Sequence, residues 1–162
     1  MQVNLAYGKT GTIIHLPDDL DITIVNPSFI PGIQNPYQAL REAINHPVFS
    51  QPLSELVKPG NHVGIIFSDL TRPTPNHLIL PAILKEISIF KPLQLSLFNA
   101  CGTHRSNTDG ELRQILGDQL VDEYRIIQND AFNSDIQEYE GKTSSGNEIW
   151  INRELLECDI KI

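Results

Sequence analysis

The amino-acid sequence predicts an α/β protein in which a small antiparallel β entry precedes a parallel sheet. Two apolar runs, residues 63–67 (VGIIF) and 93–99 (LQLSLFN), have the length of strands, and one helical segment lies between them. Strand, helix and strand in this order form a unit whose two strands pair in parallel. A polar motif directly follows each strand, so both motifs are expected at the carboxyl edge of the sheet, where open α/β sheets bind ligands.

The N-terminal part of the chain predicts the β entry and one helix. Residues 3–7 and 12–16 are strand candidates joined by the turn GKTG, which predicts a hairpin. Residues 20–25 alternate apolar and polar side chains, which predicts another strand. A proline-rich loop then leads into a helix predicted over residues 37–45. That helix ends before Pro47, because the residue preceding a proline disfavours helical geometry.

Two helices are predicted to follow the two polar motifs. The helix after the first motif carries apolar residues spaced for one buried stripe. Because Pro81 lacks a backbone N–H, the regular part of this helix is expected to begin only at that residue. After the second motif, residues 108–111 (TDGE) form a capping box that opens a helix over residues 111–116, and Gly117 closes it.

The remaining segments are short. They predict strands over residues 124–128, 136–139 and 148–152, a helix over residues 153–157 and a last strand over residues 159–162. Together the elements predict a Rossmann-like, parallel-sheet domain that occupies residues 1–162 as a single unit. A parallel strand ending at Ile162 would point its carboxyl end at the same crevice as the motifs, so a loop that completes the crevice is expected to be missing through truncation.

Composition narrows the function classes. Hydrophobic residues make up 40% and charged residues 20% of the chain, as in globular proteins, and no apolar run approaches the ~20 residues that cross a bilayer. The N-terminus lacks a secretory signal, so a cytoplasmic location is expected. A net charge of −8 argues against binding nucleic acid. Cys101 and Cys158 are too few for a disulfide framework, and no Cys/His cluster suggests zinc.

The first polar motif, SDLTRPTP at residues 68–75, combines an acid, hydroxyls and an arginine. A strand end with Thr71 or Thr74 capping the next helix would explain the hydroxyls. It would not explain Asp69 beside Arg72, and a guanidinium is suited to binding a carboxylate or phosphate. Neither a Walker A loop nor a GxGxxG fingerprint is present.

The second polar motif, ACGTHR at residues 100–105, contains the best candidate for acid–base chemistry. The alternative is a glycine turn with an exposed histidine. His104 belongs to the residue type whose unperturbed pKa suits proton transfer near neutrality, and Arg105 could hold an anion beside it. Gly102 lets the backbone approach a ligand closely. For Cys101 the commoner role is that of a small buried hydrophobe.

Several segments together resemble the N-terminal domain of the lactate racemase family, whose cofactor is a nickel-pincer nucleotide. The segments are YGKTG at residues 7–11, LPD at 16–18, VKPG at 57–60, SDLTRPTPN at 68–76, GTHR at 102–105 and GKTSSG at 141–146. The resemblance extends over nearly the full chain, and its most specific parts are the two polar motifs.

This resemblance implies an isomerase that racemises or epimerises a 2-hydroxy acid by proton-coupled hydride transfer to the cofactor. His104 matches one of the family's two acid–base histidines, and Arg72 matches an arginine that holds the substrate. The resemblance also implies that four residues line the cofactor or substrate pocket: Asp69, Thr71, Thr103 and Arg105.

The sequence departs from the family pattern in two respects. Asn129 stands where the family often carries a histidine, and no metal ligand is predicted in this chain. The family's second catalytic histidine, cofactor-linked lysine and nickel-ligating histidine are expected beyond Ile162, in a C-terminal domain that would be this chain's partner. The chain alone is therefore expected to bind no nickel and to be inactive. The alternative function is a non-catalytic α/β module that binds an anion or nucleotide phosphate through Arg72 and Arg105.

Overall fold

A computed structural model describes residues 1–162, which divide into two compact units, Met1–Gly32 and Ile33–Ile162. No helix has the length and apolar character required to span a membrane. The expectation of a single domain over residues 1–162 stays a prediction.

The first unit contains the predicted hairpin. Strands β1 (Gln2–Leu5) and β2 (Thr12–His15) pair antiparallel, and the turn between them closes with a hydrogen bond from Gly11 N to Tyr7 O of 2.9 Å. The strand predicted over residues 20–25 is wrong, because no strand forms there. Its side chains have a strand-like alternation, but an isolated strand has no neighbour to accept and donate its backbone hydrogen bonds.

The second unit opens with helices α1 (Pro36–Asn45) and α2 (Leu53–Leu56). The predicted helix over residues 37–45 is confirmed with one further residue at its start. Asn35 caps α1, since its side-chain oxygen accepts a hydrogen bond of 3.1 Å from the backbone N–H of Gln38. The proline at the first helical position suits a site where no N–H is needed.

The predicted strand–helix–strand unit is confirmed. It consists of β3 (His62–Ser68), α3 (Asn76–Ser88) and β4 (Gln94–Ala100), with β3 and β4 parallel and in register along their whole length. The expectation that regular helix starts at Pro81 is wrong, because α3 begins five residues earlier. The ring of Pro81 removes one hydrogen bond to the carbonyl of His77, which lies at the exposed start of the helix where water can satisfy it.

Beyond β4 the chain forms α4 (Asp109–Leu116), α5 (Asp118–Glu123) and β5 (Arg125–Gln128). The predicted capping box is confirmed. The hydroxyl oxygen of Thr108 accepts from the N–H of Glu111 at 3.3 Å, and the Glu111 carboxylate accepts from the N–H of Thr108 at 2.8 Å.

The last part of the chain forms a second hairpin and an edge strand. A 3₁₀ turn leads into β6 (Gln137–Lys142), which pairs antiparallel with β7 (Glu148–Asn152). The short helix α6 (Arg153–Leu156) and strand β8 (Ile160–Lys161) follow. β8 pairs parallel with β3.

The four parallel strands lie in the order β5-β4-β3-β8. From β3 the chain adds β4 and then β5 on one side of the sheet. It then returns to the opposite side of β3, where β8 pairs. The connections thus change direction at β3, and open α/β sheets form ligand crevices at their carboxyl edge near such a reversal. The predicted α/β class, with its parallel Rossmann-like sheet and antiparallel β entry, is confirmed.

The core lies on the face of the sheet that α3, α4 and α5 cover. Its buried members are Val57, Val63, Ile65, Phe67, Leu80, Leu84, Ile87, Leu97, Leu112, Ile115, Leu116 and Leu120. On the opposite face, Gly64 leaves room for α6: a methyl group at Gly64 would lie 2.9 Å from Cys158 Sγ and 3.2 Å from Leu155 Cδ1. The helices thus fix β3 and β4, whose ends carry the polar motifs.

Candidate active site

A crevice of about 350 Å³ lies at the carboxyl edge of the sheet, where β3 and β4 end. Both polar motifs contribute to it, as their positions after parallel strands predict. The lining consists of residues 66–69, Arg72 and residues 100–104. The crevice therefore brings together an acid, a guanidinium, hydroxyls and an imidazole from two separate parts of the chain.

Asp69 lies at the base of this arrangement, with its side chain almost fully buried. Its Oδ1 accepts a hydrogen bond of 2.7 Å from the Thr71 hydroxyl and a longer one of 3.3 Å from the Thr71 N–H. Its Oδ2 lies 2.7 Å from His104 Nδ1. Hydrogen bonds from Thr71 and then from His104 lower the pKa of Asp69 and outweigh the opposing effect of burial, so the carboxyl group stays ionised.

The carboxylate determines which nitrogen of His104 is available for chemistry. An ionised carboxylate only accepts hydrogen bonds, so His104 Nδ1 carries the hydrogen that points at Asp69. Nε2 of the neutral ring then has its lone pair free, and half of the side-chain surface is exposed to the crevice and solvent. The buried acid therefore fixes both the tautomer and the orientation of the neutral imidazole, which leaves Nε2 able to accept a proton.

Arg72 supplies an uncompensated positive charge in the crevice. The arginines at positions 105, 113, 125 and 153 each form an ion pair with a carboxylate, whereas Arg72 forms none. Its backbone N–H is held by Asp69 O at 3.2 Å, which fixes the turn that carries the side chain. A guanidinium in this condition is available to bind a carboxylate or phosphate through two parallel hydrogen bonds.

Arg105 lies outside the lining of the crevice. Its guanidinium makes two hydrogen bonds of 2.8 Å to Glu111 and one of 2.9 Å to Ser106 O. The ion pair holds the pKa of Glu111 at about 2, through the side-chain hydrogen bonds from Arg105 first and the backbone hydrogen bond from Thr108 second. Arg105 thus stabilises the capping box of α4 by binding Glu111. The resemblance implied a position in the pocket for Arg105 and did not indicate this contact.

The two threonines implied by the resemblance occupy different places. Thr103 lines the crevice, next to Gly102, whose φ of +60° turns the backbone where glycine is favoured. Thr71 lies outside the lining and gives its hydroxyl hydrogen to Asp69. Thr71 therefore acts on the crevice through Asp69.

Two further residues that the sequence analysis considered, Cys101 and Asn129, contribute to the structure around the crevice and to the second hairpin. Burial raises the pKa of the Cys101 thiol, which makes it a poor nucleophile even though it borders the crevice. Asn129 holds the second hairpin, because its Oδ1 accepts hydrogen bonds from Gln137 at 2.9 Å and Asn152 at 3.2 Å. No group of three or more His, Cys, Asp or Glu side chains with metal-binding geometry occurs.

The chain is similar to known proteins over nearly its full length. A family model described as the lactate racemase N-terminal domain matches residues 7–162. The lactate racemase of Thermoanaerobacterium thermosaccharolyticum is 28% identical over 163 residues, which cover 99% of this chain and 38% of that protein. The lactate racemase of Lactiplantibacillus plantarum is 29% identical over 126 residues, covering 77% of this chain and 30% of that protein.

Solved structures show the same relationship. The lactate racemase apoprotein from T. thermosaccharolyticum superposes with a TM-score of 0.81 at 27% identity, over 99% of this chain and 38% of the other. A protein from Thermotoga maritima shares the fold, with a TM-score of 0.56 at 20% identity over 77% of this chain and 30% of the other. The chain thus spans less than two fifths of the length of these relatives. Since the family model matches all but its first six residues, the chain belongs to the lactate racemase N-terminal domain family.

Proposed function

We propose that this chain forms the substrate-facing part of an isomerase that racemises or epimerises a small 2-hydroxy acid. The observation that carries the proposal is the Asp69–His104 contact of 2.7 Å in the same crevice as the unpaired Arg72. A 2-hydroxy acid presents a carboxylate and, on the next carbon, a hydroxyl group. The crevice offers a cation for the former and a base for the latter.

Arg72 would bind the substrate carboxylate. Its planar guanidinium can donate two parallel hydrogen bonds, which fix the orientation of the carboxylate as well as its position. Orientation matters because a base contributes to the rate only when the reacting proton is held within hydrogen-bond reach of it.

His104 would take the hydroxyl proton at Nε2. As the ring becomes positively charged, the buried carboxylate of Asp69 stabilises it, and Thr71 keeps that carboxylate in place. General acid–base catalysis of this kind contributes about 10²–10⁴-fold to a rate. Return of the proton from the same nitrogen would regenerate the neutral base.

The family's nickel-pincer nucleotide fits the crevice in one respect. The backbone is open at Gly102, where a Cβ would meet nothing within 4 Å, so a group of the nucleotide could lie against it while Arg72 holds the substrate carboxylate. Thr103 would add a hydroxyl donor. When bound, the cofactor would supply the reversible oxidation and reduction of the substrate's hydroxyl-bearing carbon. The metal ligands are expected in the C-terminal part of the polypeptide that the longer relatives have.

Binding of L-lactate to the purified chain tests the role of Arg72. We expect Arg72→Ala to abolish the chemical-shift changes that lactate produces at the crevice amides in NMR titrations, because the carboxylate loses its only unpaired cation there. Arg41→Ala is the matched control, since Arg41 is also an exposed arginine without an ion pair but lies on α1. If both variants lost the lactate-induced shift changes equally, or if neither lost them, Arg72 would not be the residue that binds the carboxylate.

The second candidate function is a non-catalytic anion or nucleotide-phosphate-binding module. The unpaired Arg72 beside the open backbone of Gly102 favours it, because these features need no base. The two functions differ at His104. The module predicts that lactate and inorganic sulfate, a phosphate analogue that has no hydroxyl group at neutral pH, each bind as well to His104→Gln as to the unchanged chain. The racemase proposal predicts weaker binding of lactate alone in that variant, because lactate has a hydroxyl group for Nε2 and sulfate has none.

A further inference from the structure

The loop that carries His104 is fastened by a side chain from a different strand. Residues 101–107 connect β4 to the N-cap of α4 and contain no helix or strand. Each end of the loop is anchored by a buried residue, Cys101 at one end and Asn107 at the other. His104 lies between these anchors, and its backbone N–H donates to Cys101 O at 3.0 Å.

Gln128, the last residue of β5, holds the Asn107 end. Its Oε1 accepts from the backbone N–H of Asn107 at 2.7 Å, and its Nε2 donates to the backbone carbonyl of Asn107 at 2.8 Å. The side-chain amide of Gln128 thus forms hydrogen bonds with both the backbone N–H and the backbone carbonyl of Asn107. A neighbouring β-strand satisfies the backbone of a residue in the same way. A buried backbone group needs such a partner, so the loop cannot leave this position without losing both bonds.

Asn99 connects this contact to the sheet. Its side chain is completely buried and donates from Nδ2 to Asn107 Oδ1 at 2.8 Å and to Gln128 Oε1 at 3.1 Å. Asn99 and Gln128 are also direct neighbours in the β4–β5 ladder. The position of Asn107 is therefore defined relative to two adjacent strands at the edge where the crevice lies.

We propose that Gln128 is a positioning residue that keeps the His104 imidazole on Asp69. It touches none of the crevice's reacting groups, and it acts through Asn107 and the loop that ends there. This role rests on the proposed function of His104 as a base. It predicts that the chain needs an amide at position 128, because both a donor and an acceptor face Asn107.

The test uses the uniformly ¹⁵N-labelled 162-residue chain and follows the imidazole nitrogens of His104 and the backbone amide of Asn107 by NMR. The unchanged chain is expected to show one neutral tautomer with hydrogen on Nδ1. Gln128→Met, which removes donor and acceptor at similar volume, is expected to give a mixture of both tautomers. It should also make the Asn107 amide hydrogen exchange roughly tenfold faster, as loss of a buried hydrogen bond implies. Gln119→Met is the matched control, because Gln119 makes one exposed hydrogen bond on α5.

Gln128→Glu provides a second variant in case the methionine variant does not fold. A carboxylate keeps the acceptor for the Asn107 N–H but places a second acceptor against the Asn107 carbonyl, so a mixed tautomer is again expected. A single Nδ1–H tautomer in a folded Gln128 variant would overturn the proposal. Loss of folding in both variants would also overturn it, because Gln128 would then serve global stability. These readouts need no substrate, so they test how Gln128 positions the imidazole separately from lactate binding, and failure of lactate to bind would count against the proposed function instead.

Discussion

Asp69 is the buried residue that links the two polar motifs, because its carboxylate accepts hydrogen bonds from Thr71 and from His104. Burial alone would favour the neutral acid, but the hydrogen bonds that it accepts favour the ionised form. An ionised and buried acid can stabilise a positive charge on the neighbouring imidazole more strongly than an exposed one could.

The lowered pKa of Asp69 predicts how the stability of the chain depends on pH. Its folded-state pKa lies below the unfolded value of about 3.9, so its contribution is fully present above that value and is lost as the pH falls through the folded-state pKa. We expect the Tm of the unchanged chain to exceed that of Asp69→Asn at pH 5, with an advantage that shrinks towards pH 2.

Thermal unfolding followed by circular dichroism at each pH measures this advantage. Asp21→Asn is the control, because Asp21 is an exposed carboxylate for which no hydrogen bond or ion pair occurs. A difference between the unchanged chain and Asp69→Asn that stays constant from pH 5 to pH 2 would show that the ionised carboxylate is not the stabilising form.

The sequence predicted these residues as neighbours but not their direct contact. Asp69 and His104 are 35 positions apart, and the strand rule placed both at one edge of the sheet. Whether two side chains meet there depends on rotamers and loop paths, which a sequence pattern does not specify. The same limit explains Arg105: its motif position suggested the crevice, while its side chain turns to Glu111.

At the scale of elements, β3 and β4 determine where the crevice lies. The core covers one face of these strands, and Leu155 and Cys158 pack closely at Gly64 on the other. Apolar runs of strand length made this unit predictable. The segment over residues 20–25 had a similar alternation but no pairing partner, and α3 continued through Pro81 because its buried residues Leu80, Leu84 and Ile87 pack on the sheet. In both cases the secondary structure depends on contacts with the rest of the fold, which the local sequence pattern does not specify.

Two glycine substitutions test the packing of these elements. Gly64→Ala would place a methyl group 2.9 Å from Cys158 Sγ and from Phe98 Cε2, so we expect it to lower the free energy of unfolding by about 1–3 kcal/mol. Gly110→Ala on α4 meets nothing within 4 Å and should raise that free energy by about 0.5 kcal/mol. Urea denaturation of both variants provides the comparison. Equal effects would mean that α6 does not pack against β3 as described.

At the scale of the whole molecule, the chain corresponds to 38% of the length of the T. thermosaccharolyticum lactate racemase. The crevice contains one imidazole, which in the proposed function would act on one side of the substrate. Inverting a stereocentre requires groups that act on both sides of the reacting carbon, so the proposal includes complementary residues of the kind that the additional length of the relatives could supply.

We therefore expect the 162-residue chain by itself not to interconvert the lactate enantiomers, even when nickel-pincer nucleotide is added. Chiral chromatography after prolonged incubation measures the interconversion, with an intact lactate racemase as the positive control. Cofactor-dependent interconversion by this chain would show that its own residues complete the catalytic machinery.

In the proposed function, one crevice binds a carboxylate at Arg72 and presents His104 Nε2 to the adjacent hydroxyl group. The most direct measurement is the ¹⁵N shift of His104 Nε2 during titration with L-lactate and, separately, with propionate, which has the carboxylate but lacks the hydroxyl. We predict that both ligands shift the Arg72 resonances and that only lactate shifts Nε2, through the new hydrogen bond. Identical Nε2 responses to the two ligands would contradict the account.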